Sequence, residues 1–135
     1  MVTARRVRSR GAGVALLGAL VWAGCSSNPV TGVQIEVRND ADNFQYHATA
    51  LNQQNDVHSY TWQNSGTRAT LDLTTDRSAG TVHLVVRDAA NATVYDADLP
   101  ANLVTSTTLG TAGSWHVNVT LTGYTGNVAI LISKL

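Results

Sequence analysis

Cysteine is nearly absent from this 135-residue chain, in which Cys25 is the only one. One cysteine excludes an intramolecular disulfide, so an exported domain with this sequence must be held together by burial alone. In a secreted chain, an unpaired cysteine is reactive, paired between chains, or modified. The Gly-x-Ser-x-Gly motif of hydrolases is also absent, and no other catalytic signature is present. The sequence therefore predicts a protein that is not an enzyme.

Basic residues are scarce once the first 24 residues are set aside. Beyond that point five Lys and Arg stand against nine Asp and Glu, a formal net charge of −4. Nucleic-acid-binding proteins draw much of their affinity from clustered Lys and Arg. The composition therefore predicts no nucleic-acid partner. It also argues against adhesion to anionic lipid by charge alone, so any membrane attachment has to come from another source.

The N-terminal apolar run is too short to cross a bilayer. It covers 11–22, twelve residues, whereas a spanning helix needs about 20. Four arginines precede it, and Ala23, Gly24 and Cys25 follow. A positive start, an apolar segment of about 7–15 residues and small residues before the cleavage point are the anatomy of a secretory signal. We therefore predict a lipoprotein signal peptide over 1–24 and lipidation of Cys25, for example by palmitate.

Two alternatives concern the export signal. An ordinary secretory signal cut after Ala23 would leave Cys25 as a free thiol near the new N-terminus. The pair Arg5-Arg6 also occurs in twin-arginine signals, although Arg8 and Ser9 occupy positions where those signals are apolar. The sequence does not decide between the general secretory and the twin-arginine export routes.

Lipidation of Cys25 predicts a location in the bacterial cell envelope, with the membrane as a partner through the lipid. The residue after Cys25 is Ser26 rather than Asp, which resembles lipoproteins of the outer membrane if the host is Gram-negative. Residues 25–32 would form a lipidated tether. Its seven residues after the cysteine reach at most about 25 Å, so the following domain would sit close to its membrane.

Residues 33–135 alternate between apolar and polar side chains and show no helical periodicity. Short strands recur at 8–12-residue spacing, which is typical of sandwiches and barrels. The segment 88–91 (Asp-Ala-Ala-Asn) predicts a hairpin turn, because Asp accepts local backbone hydrogen bonds and Asn tolerates a left-handed conformation. We predict one all-β domain over 33–135, an antiparallel β-sandwich (jelly-roll-like) of about eight to nine strands.

Two C-terminal segments carry a resemblance. Residues 113–119 (Gly-Ser-Trp-His-Val-Asn-Val) and 126–130 (Gly-Asn-Val-Ala-Ile) resemble the last two strands of jelly-roll accessory domains on secreted bacterial proteins. The longer stretch 62–135 is similar to small uncharacterised bacterial lipoproteins. The resemblance implies a fold and a location, not an activity. Calcium-binding members of the accessory families place acidic residues in the final loop, and 122–126 has none.

The titratable side chains form no convincing site in the sequence. The histidines lie on four different segments without a metal-ligand spacing; they are His47, His58, His83 and His116. The cluster Asp40, Asp42 and Asn43 lacks the residue order of a calcium loop and is typical of a solvated turn. The carboxylates Asp96 and Asp98 share one strand face and are interpreted as solubilising charge. We expect no metal and no cofactor.

Three tyrosines carry the remaining binding hypothesis. Tyr46, Tyr95 and Tyr124 could present flat rings to sugars, or each could close an edge of the core with its hydroxyl in water. The sequence thus predicts a lipid-anchored, exported β-sandwich that acts as a non-catalytic structural or interaction module with an unknown protein or glycan partner. The alternative is a carbohydrate-binding surface lipoprotein. A small hydrolase would need a concave pocket that holds a histidine near an acid or serine.

Overall fold

The computed structural model describes residues 32–135. The predicted signal peptide (1–24) and Cys25 lie outside the described residues. The strands found in 32–135 are β1 (Gln34–Asp40), β2 (Asn43–Asn64), β3 (Ala69–Arg87), β4 (Thr93–Asp98), β5 (Asn102–Ser106) and β6 (Gly113–Lys134). Within this part of the chain there is no helix long and apolar enough to span a membrane.

Every strand pairing is antiparallel, in the order β1-β2-β6-β3-β4, with β5 also paired to β3. The predicted all-β, antiparallel class is therefore confirmed. Residues 32–135 form six strands rather than eight or nine, because β2, β3 and β6 each contain two of the predicted strands. The polar segments 53–56, 76–80 and 122–126 were expected to separate strands, but they form bends within these three long strands.

The bends coincide with irregular register and with backbone that favours glycine. The β2–β6 ladder shifts register three times between Ala48 and Asp56. In the other two long strands the bends contain Gly80, Gly123 and Gly126, all with positive φ. A Cβ on Gly126 would overlap the carbonyl oxygen of Asp76 on β3. Glycine thus allows β3 and β6 to touch where both change direction.

The bends fold the sheet onto itself, so that the two halves of β2 face each other. Phe44 in the first half packs on Tyr60 in the second, with ring centroids 5.4 Å apart. The indole N–H of Trp62 donates to the Asp40 carbonyl at 3.0 Å. These contacts are consistent with the expected two-layer arrangement.

The strand pairings define which segments share a layer. We call layer 1 the five neighbouring segments β1, 43–50 of β2, 126–134 of β6, 69–77 of β3, and β5. We call layer 2 the four segments 56–64 of β2, 113–122 of β6, 81–87 of β3, and β4. Layer 1 is therefore one strand wider than layer 2, and the additional strand is β1.

The core lies between the two layers and consists of alternate side chains from each strand, as the period-two pattern predicts. Trp62 and Trp115 meet edge to face at its centre, with ring centroids 5.8 Å apart. The largest fully buried side chains are Trp62, Trp115, Tyr46, Tyr124, Phe44, Leu71, Leu73, Leu84, Ile130, Ile132, Val82 and Val86. Burial of this apolar surface, at roughly 25 cal/mol per Å², is what holds together a domain without a disulfide.

Candidate functional site

The tyrosines predicted to bind a ligand lie mostly in the core. Tyr46 and Tyr124 are both 0% exposed, and Tyr95 is partly buried against the core. The Tyr124 hydroxyl donates to the Asn127 carbonyl at 2.8 Å. Burial raises the pKa of Tyr95 and of Tyr124. Since neither Tyr46 nor Tyr124 exposes a ring face, stacking of a sugar on these two side chains does not fit the structure. They belong to the core because their strands turn those positions inward.

Tyr46 instead begins a hydrogen-bonded chain that links the two layers. Its hydroxyl is 2.8 Å from Nδ1 of His58, and Nε2 of His58 is 3.1 Å from a carboxylate oxygen of Asp56. Asp56 accepts from Nε2–H, so in that tautomer Nδ1 accepts a hydrogen bond from the Tyr46 hydroxyl. The hydrogen bond from His58, followed by that from the Val57 N–H, lowers the pKa of Asp56.

This arrangement of Asp56, His58 and the Tyr46 hydroxyl looks like a nucleophilic triad, but the burial of Tyr46 argues against nucleophilic catalysis. Burial, then the neighbouring Tyr60 and the Asp56 charge, raises the pKa of Tyr46 far above its ordinary value. A phenol with a raised pKa is a poor nucleophile at neutral pH, and no surface of Tyr46 is open to a substrate. The geometry therefore fits a structural bond between the two halves of β2.

His83 lies between two carboxylates on the outer face of layer 2. Its Nδ1 is 2.7 Å from Asp98, and its Nε2 is 2.7 Å from Asp96. The hydrogen bond to Asp98, with further help from Asp96, raises the pKa of His83. Both ring nitrogens are occupied, and by different carboxylates, so the imidazolium form is stabilised as a double donor. The arrangement ties β4 to β3.

The sequence singled out His83, Asp96 and Asp98 but did not bring them together. The signal that could have done so is the predicted turn at 88–91. Counting outwards from that turn places His83 opposite Asp96, whereas the register of the β3–β4 hairpin pairs it with Asp98. The bulge next to Arg87 adds one residue to one strand, which makes such counting uncertain without the structure.

The other predicted ligands are separate or engaged. Asp42 accepts hydrogen bonds from the Ser65 N–H at 2.7 Å and the Ser65 hydroxyl at 2.8 Å. These bonds, the backbone one first, lower the pKa of Asp42. His116 lies across the ladder from Thr61 and Arg87. In the part of the chain that the structure describes, no group of three or more His, Cys, Asp or Glu side chains could hold a metal ion.

His47 belongs to a polar hollow on the outer face of layer 1. The register places Glu36 beside His47 and Arg38 beside Gln45, and these four side chains line the hollow. It therefore offers a carboxylate, a guanidinium, an amide and an imidazole within one small area of β1 and β2. Such groups suit a small polar ligand, since together they supply both hydrogen-bond donors and acceptors.

The most distinctive surface is the margin where β1 extends beyond layer 2. Val33, Ile35 and Val37 point to the core side of layer 1, because Ile35 pairs with Ala48 and Val37 with Tyr46, both buried. Within residues 32–135 no strand of layer 2 lies opposite β1, and Val33 and Ile35 are 41% and 40% exposed. We call these three side chains, with the backbone edge of β2 at 57–59, the open margin.

The backbone edge of β2 in the open margin also points outwards. At Thr61 and Gln63 this edge is covered by β1 and the turn that follows β1. The Thr61 carbonyl accepts from the Asn39 side chain at 2.7 Å, and the Gln63 carbonyl accepts from the Asp42 N–H at 2.8 Å. Alternate residues of a strand direct their backbone groups to the same side. Ser59 therefore directs its N–H and C=O away from β6.

The strand pairings define this chain as an all-β antiparallel domain, and comparisons with known proteins add no family to that class. No family model matches it, and no curated protein matches it. Among solved structures, the enzymatically active domain of tailspike protein 4 of bacteriophage CBA120 is 16% identical, with a TM-score of 0.43. That match covers 76% of this chain and 18% of the tailspike chain.

The capsular polysaccharide assembling protein CapF of Staphylococcus aureus is similar to a smaller extent. One crystal structure of it is 12% identical with a TM-score of 0.32, and the match covers 76% of this chain and 31% of CapF. A second CapF structure is 10% identical with the same TM-score. This chain therefore spans less than a third of either protein, and these low TM-scores do not bear on its function.

Proposed function

We propose that this protein is a lipid-anchored, exported β domain that acts as a non-catalytic interaction module at the cell envelope. The observation that carries the proposal is the open margin, because it presents exposed apolar side chains beside outward-pointing backbone groups. Exposed apolar patches next to a free strand edge are typical of surfaces that bind another chain. The margin begins at Val33, directly after the predicted tether.

Lipid anchorage rests on the sequence around Cys25. Stable membrane attachment takes more than one acyl chain or a second signal, and lipoproteins of this kind carry several acyl chains. The mildly acidic domain offers no basic surface that would replace the lipid. A tether of about 25 Å would keep the open margin near the bilayer, where another envelope component could meet it.

The non-catalytic part of the proposal is supported by the state of the two bonded histidines. His58 and His83 each have both ring nitrogens within 3.1 Å of a hydrogen-bond partner. A general base must reach the proton that it removes from a substrate, but the hydroxyl at His58 belongs to the fully buried Tyr46, and both nitrogens of His83 face carboxylates. In both histidines the nitrogens serve to join strands instead.

Metabolic labelling tests the anchor. Cells that produce the full chain are given a labelled fatty acid, and the mature protein is analysed by mass spectrometry and membrane fractionation. We expect label on the wild type and on Ser27→Ala, and loss of both label and membrane association on Cys25→Ser. A mature protein that begins at Gly24 without label would contradict the anchor and favour the ordinary secretory signal.

Carbohydrate binding is retained as a second candidate because of the polar hollow. Its four side chains could hydrogen-bond sugar hydroxyls, and Arg38 could pair with the carboxylate of an acidic sugar. A glycan array probed with the wild type and with Arg38→Ala tests this function, with Arg87→Ala as a matched control on layer 2. Binding that is lost only on Arg38→Ala supports it, and an array without signal removes it.

A further inference from the structure

A cleft lies at the end of the domain where β1 turns into β2. Three segments line it: the turn 41–42, residues 63–65 at the end of β2, and residues 112–113 where β6 begins. We call it the turn cleft. Its volume of about 360 Å³ is at the lower end of the range of about 300–1,000 Å³ that is typical of ligand pockets. The turn cleft therefore has room for one small ligand.

The polar side of the turn cleft is built around the carboxylate of Asp42. One of its oxygens accepts from the Ser65 N–H at 2.7 Å and the other from the Ser65 hydroxyl at 2.8 Å. The backbone of Asp42 is held as well, because its N–H donates to the Gln63 carbonyl at 2.8 Å. An ionised carboxylate has about four acceptor positions, and Ser65 fills two of them. Asp42, whose side chain is 36% exposed, can therefore accept further hydrogen bonds without moving.

A positive charge lies beside this carboxylate without bonding to it directly. Nζ of Lys134 donates to the Ser65 hydroxyl at 2.9 Å, and it is 3.7 Å from the nearest Asp42 oxygen. A charge-assisted hydrogen bond would measure about 2.7–2.9 Å. Ser65 thus holds a charged acceptor and a charged donor side by side. A hydroxyl group, which both donates and accepts, suits this pair. Since the two charges cancel, the site favours neither an anion nor a cation.

The rest of the lining combines an amide with small apolar groups. The side-chain N–H of Gln63 donates to the Ser114 hydroxyl at 2.7 Å, which fixes the amide and leaves its oxygen as an acceptor. Ala41, Ala112 and Gly113 supply apolar surface without filling the cleft. A ligand with polar edges and an apolar face matches such a lining. Sugar rings have this character, because their hydroxyl groups point outwards around a face of C–H groups.

We propose that the turn cleft binds a single neutral sugar residue. Neighbouring hydroxyl groups of the sugar bond to Asp42 and Lys134, and its ring lies against Ala112 and Gly113. The turn cleft is distinct from the polar hollow on layer 1, which is lined by other residues of β1 and β2. Sugar binding here depends neither on the open margin nor on the lipid anchor.

A peptide is a less suitable occupant of the turn cleft. Peptides that dock on a sheet form main-chain hydrogen bonds along a free strand edge. At the turn cleft the Gln63 carbonyl is occupied by the Asp42 N–H, and Asn64 pairs with Gly113 of β6. The cleft therefore presents side chains rather than unpaired strand backbone, and side-chain hydrogen bonds are what a sugar requires.

The position of the turn cleft suits a membrane-anchored protein. β1 begins beside the predicted tether and ends at Asp40, which is about 20 Å away at about 3.3 Å per residue. The cleft is thus at the end of β1 that is opposite to the tether. It would face away from the membrane, towards glycans of the envelope. This consequence rests on the proposed lipid anchor, whereas sugar binding does not.

Nuclear magnetic resonance of the isotope-labelled, exported protein tests binding and its location together. Two buried indole N–H groups serve as reporters. That of Trp62 donates to the Asp40 carbonyl at 3.0 Å, and that of Trp115 donates to the Thr111 carbonyl at 2.7 Å, so each contacts a segment next to the cleft. The protein, in a detergent without a sugar headgroup, is titrated with the methyl glycosides of glucose, galactose, mannose and N-acetylglucosamine. We expect at least one glycoside to give saturable shifts of both indole signals.

Asp42→Asn changes the cleft while it preserves the turn. Asp42 has a φ of 63°, which Asn tolerates, and the Asn side-chain oxygen can still accept from the Ser65 N–H. We expect the affinity for the sugar to fall at least about tenfold, as for the loss of a hydrogen bond to a charged group. The matched control is Asp40→Asn, the same change two residues away on a side chain that does not line the cleft. We expect this control to bind like the wild type.

Ala112→Leu is an independent variant that fills the turn cleft and leaves its polar side chains unchanged. Ala112 is exposed, so the larger side chain does not enter the core. We expect the sugar-induced shifts to be lost. The dispersion of the backbone amide signals verifies that each variant keeps its fold.

The proposal is overturned if no glycoside gives saturable shifts, or if Asp42→Asn or Ala112→Leu binds as tightly as the wild type. An equal loss in the Asp40→Asn control would also refute it. Shifts from the blocked dipeptide N-acetyl-alanine methylamide, but from no glycoside, would assign the cleft to a peptide instead. Sugar-induced shifts confined to the amides of Gln45 and His47 would place the sugar in the polar hollow, which would support the second candidate function and refute this site. Failure of the lipid anchor is separate, because it changes the fatty-acid labelling and leaves the titration intact.

Discussion

Replacement of Gly126 by alanine tests whether the two-layer fold depends on the bend in β6. Gly126 has a φ of 138°, in a region that is nearly exclusive to glycine. Occupation of such a region by another residue costs about 1–3 kcal/mol. A Cβ would also overlap the Asp76 carbonyl oxygen, so β3 and β6 would have to separate locally. Loss of one ladder hydrogen bond adds about 1 kcal/mol. We therefore expect a loss of about 2–4 kcal/mol in the free energy of unfolding.

Gly123→Ala is the matched control, because it lies in the same bend and also has a positive φ of 54°. No atom lies within 4 Å of the position that its Cβ would take. Its cost is therefore the left-handed conformation alone, about 1 kcal/mol. The difference of about 1–3 kcal/mol between the two variants contains the contact between β3 and β6 together with the larger backbone strain at Gly126.

Urea denaturation followed by tryptophan fluorescence measures both variants, since Trp62 and Trp115 are fully buried and report on the core. In thermal unfolding a difference of about 2 kcal/mol should lower Tm about 8–16 °C further for Gly126→Ala than for Gly123→Ala, at about 4–8 °C per kcal/mol. Equal losses for the two variants would refute the close approach of the strands and the bend that requires it.

Three further outcomes concern the polar contacts. Replacing His83 by glutamine should lower Tm most at about pH 5.5. Because the pKa of His83 is raised in the folded state, its contribution to stability is complete below the unfolded pKa of about 6.5 and is lost as the pH rises through the folded pKa. A series of Tm values against pH that runs parallel to that of the wild type would contradict this. Burial favours a high pKa for Asp88, but the N–H groups of Ala92, Thr111 and Ala90 outweigh burial and lower the pKa. Asp88→Asn should therefore reduce Tm at neutral pH. The difference in Tm from the wild type should shrink in acid, because the wild-type carboxylate is then protonated. Tyr46→Phe removes one hydrogen bond and should cost about 1 kcal/mol in urea denaturation, and an unchanged midpoint would argue against the link that this tyrosine makes between the layers.

The alternation of side chains was sufficient to predict the class of the fold. Burial of one face of a strand imposes a period of two on the sequence, and this period is visible in 33–37, 69–73 and 115–121. The turn at 88–91 was also predictable. Asp88 accepts hydrogen bonds from the Ala90 and Ala92 N–H groups, and Asn91 has a φ of 63°. Asp commonly accepts such local backbone hydrogen bonds in turns, and Asn tolerates the left-handed conformation.

The same local pattern could not show that 53–56, 76–80 and 122–126 are bends rather than ends of strands. Polar residues and glycine occur in both situations, and the difference lies in whether the ladder to a distant strand continues past them. The exposure of the tyrosines was undetermined for the same reason. Tyr46 and Tyr124 lie on inward positions that become core only when the sheet folds onto itself.

The sequence by itself determined the alternation, the turns and the export signal that is predicted around Cys25, because each depends on residues close together in the chain. The tertiary structure alone decided the pairing of His83 with two carboxylates, the chain from Tyr46 to Asp56, and the width of layer 1 relative to layer 2. These features depend on which distant strands become neighbours. That choice is made by the burial of the whole core, and no local stretch of sequence contains it.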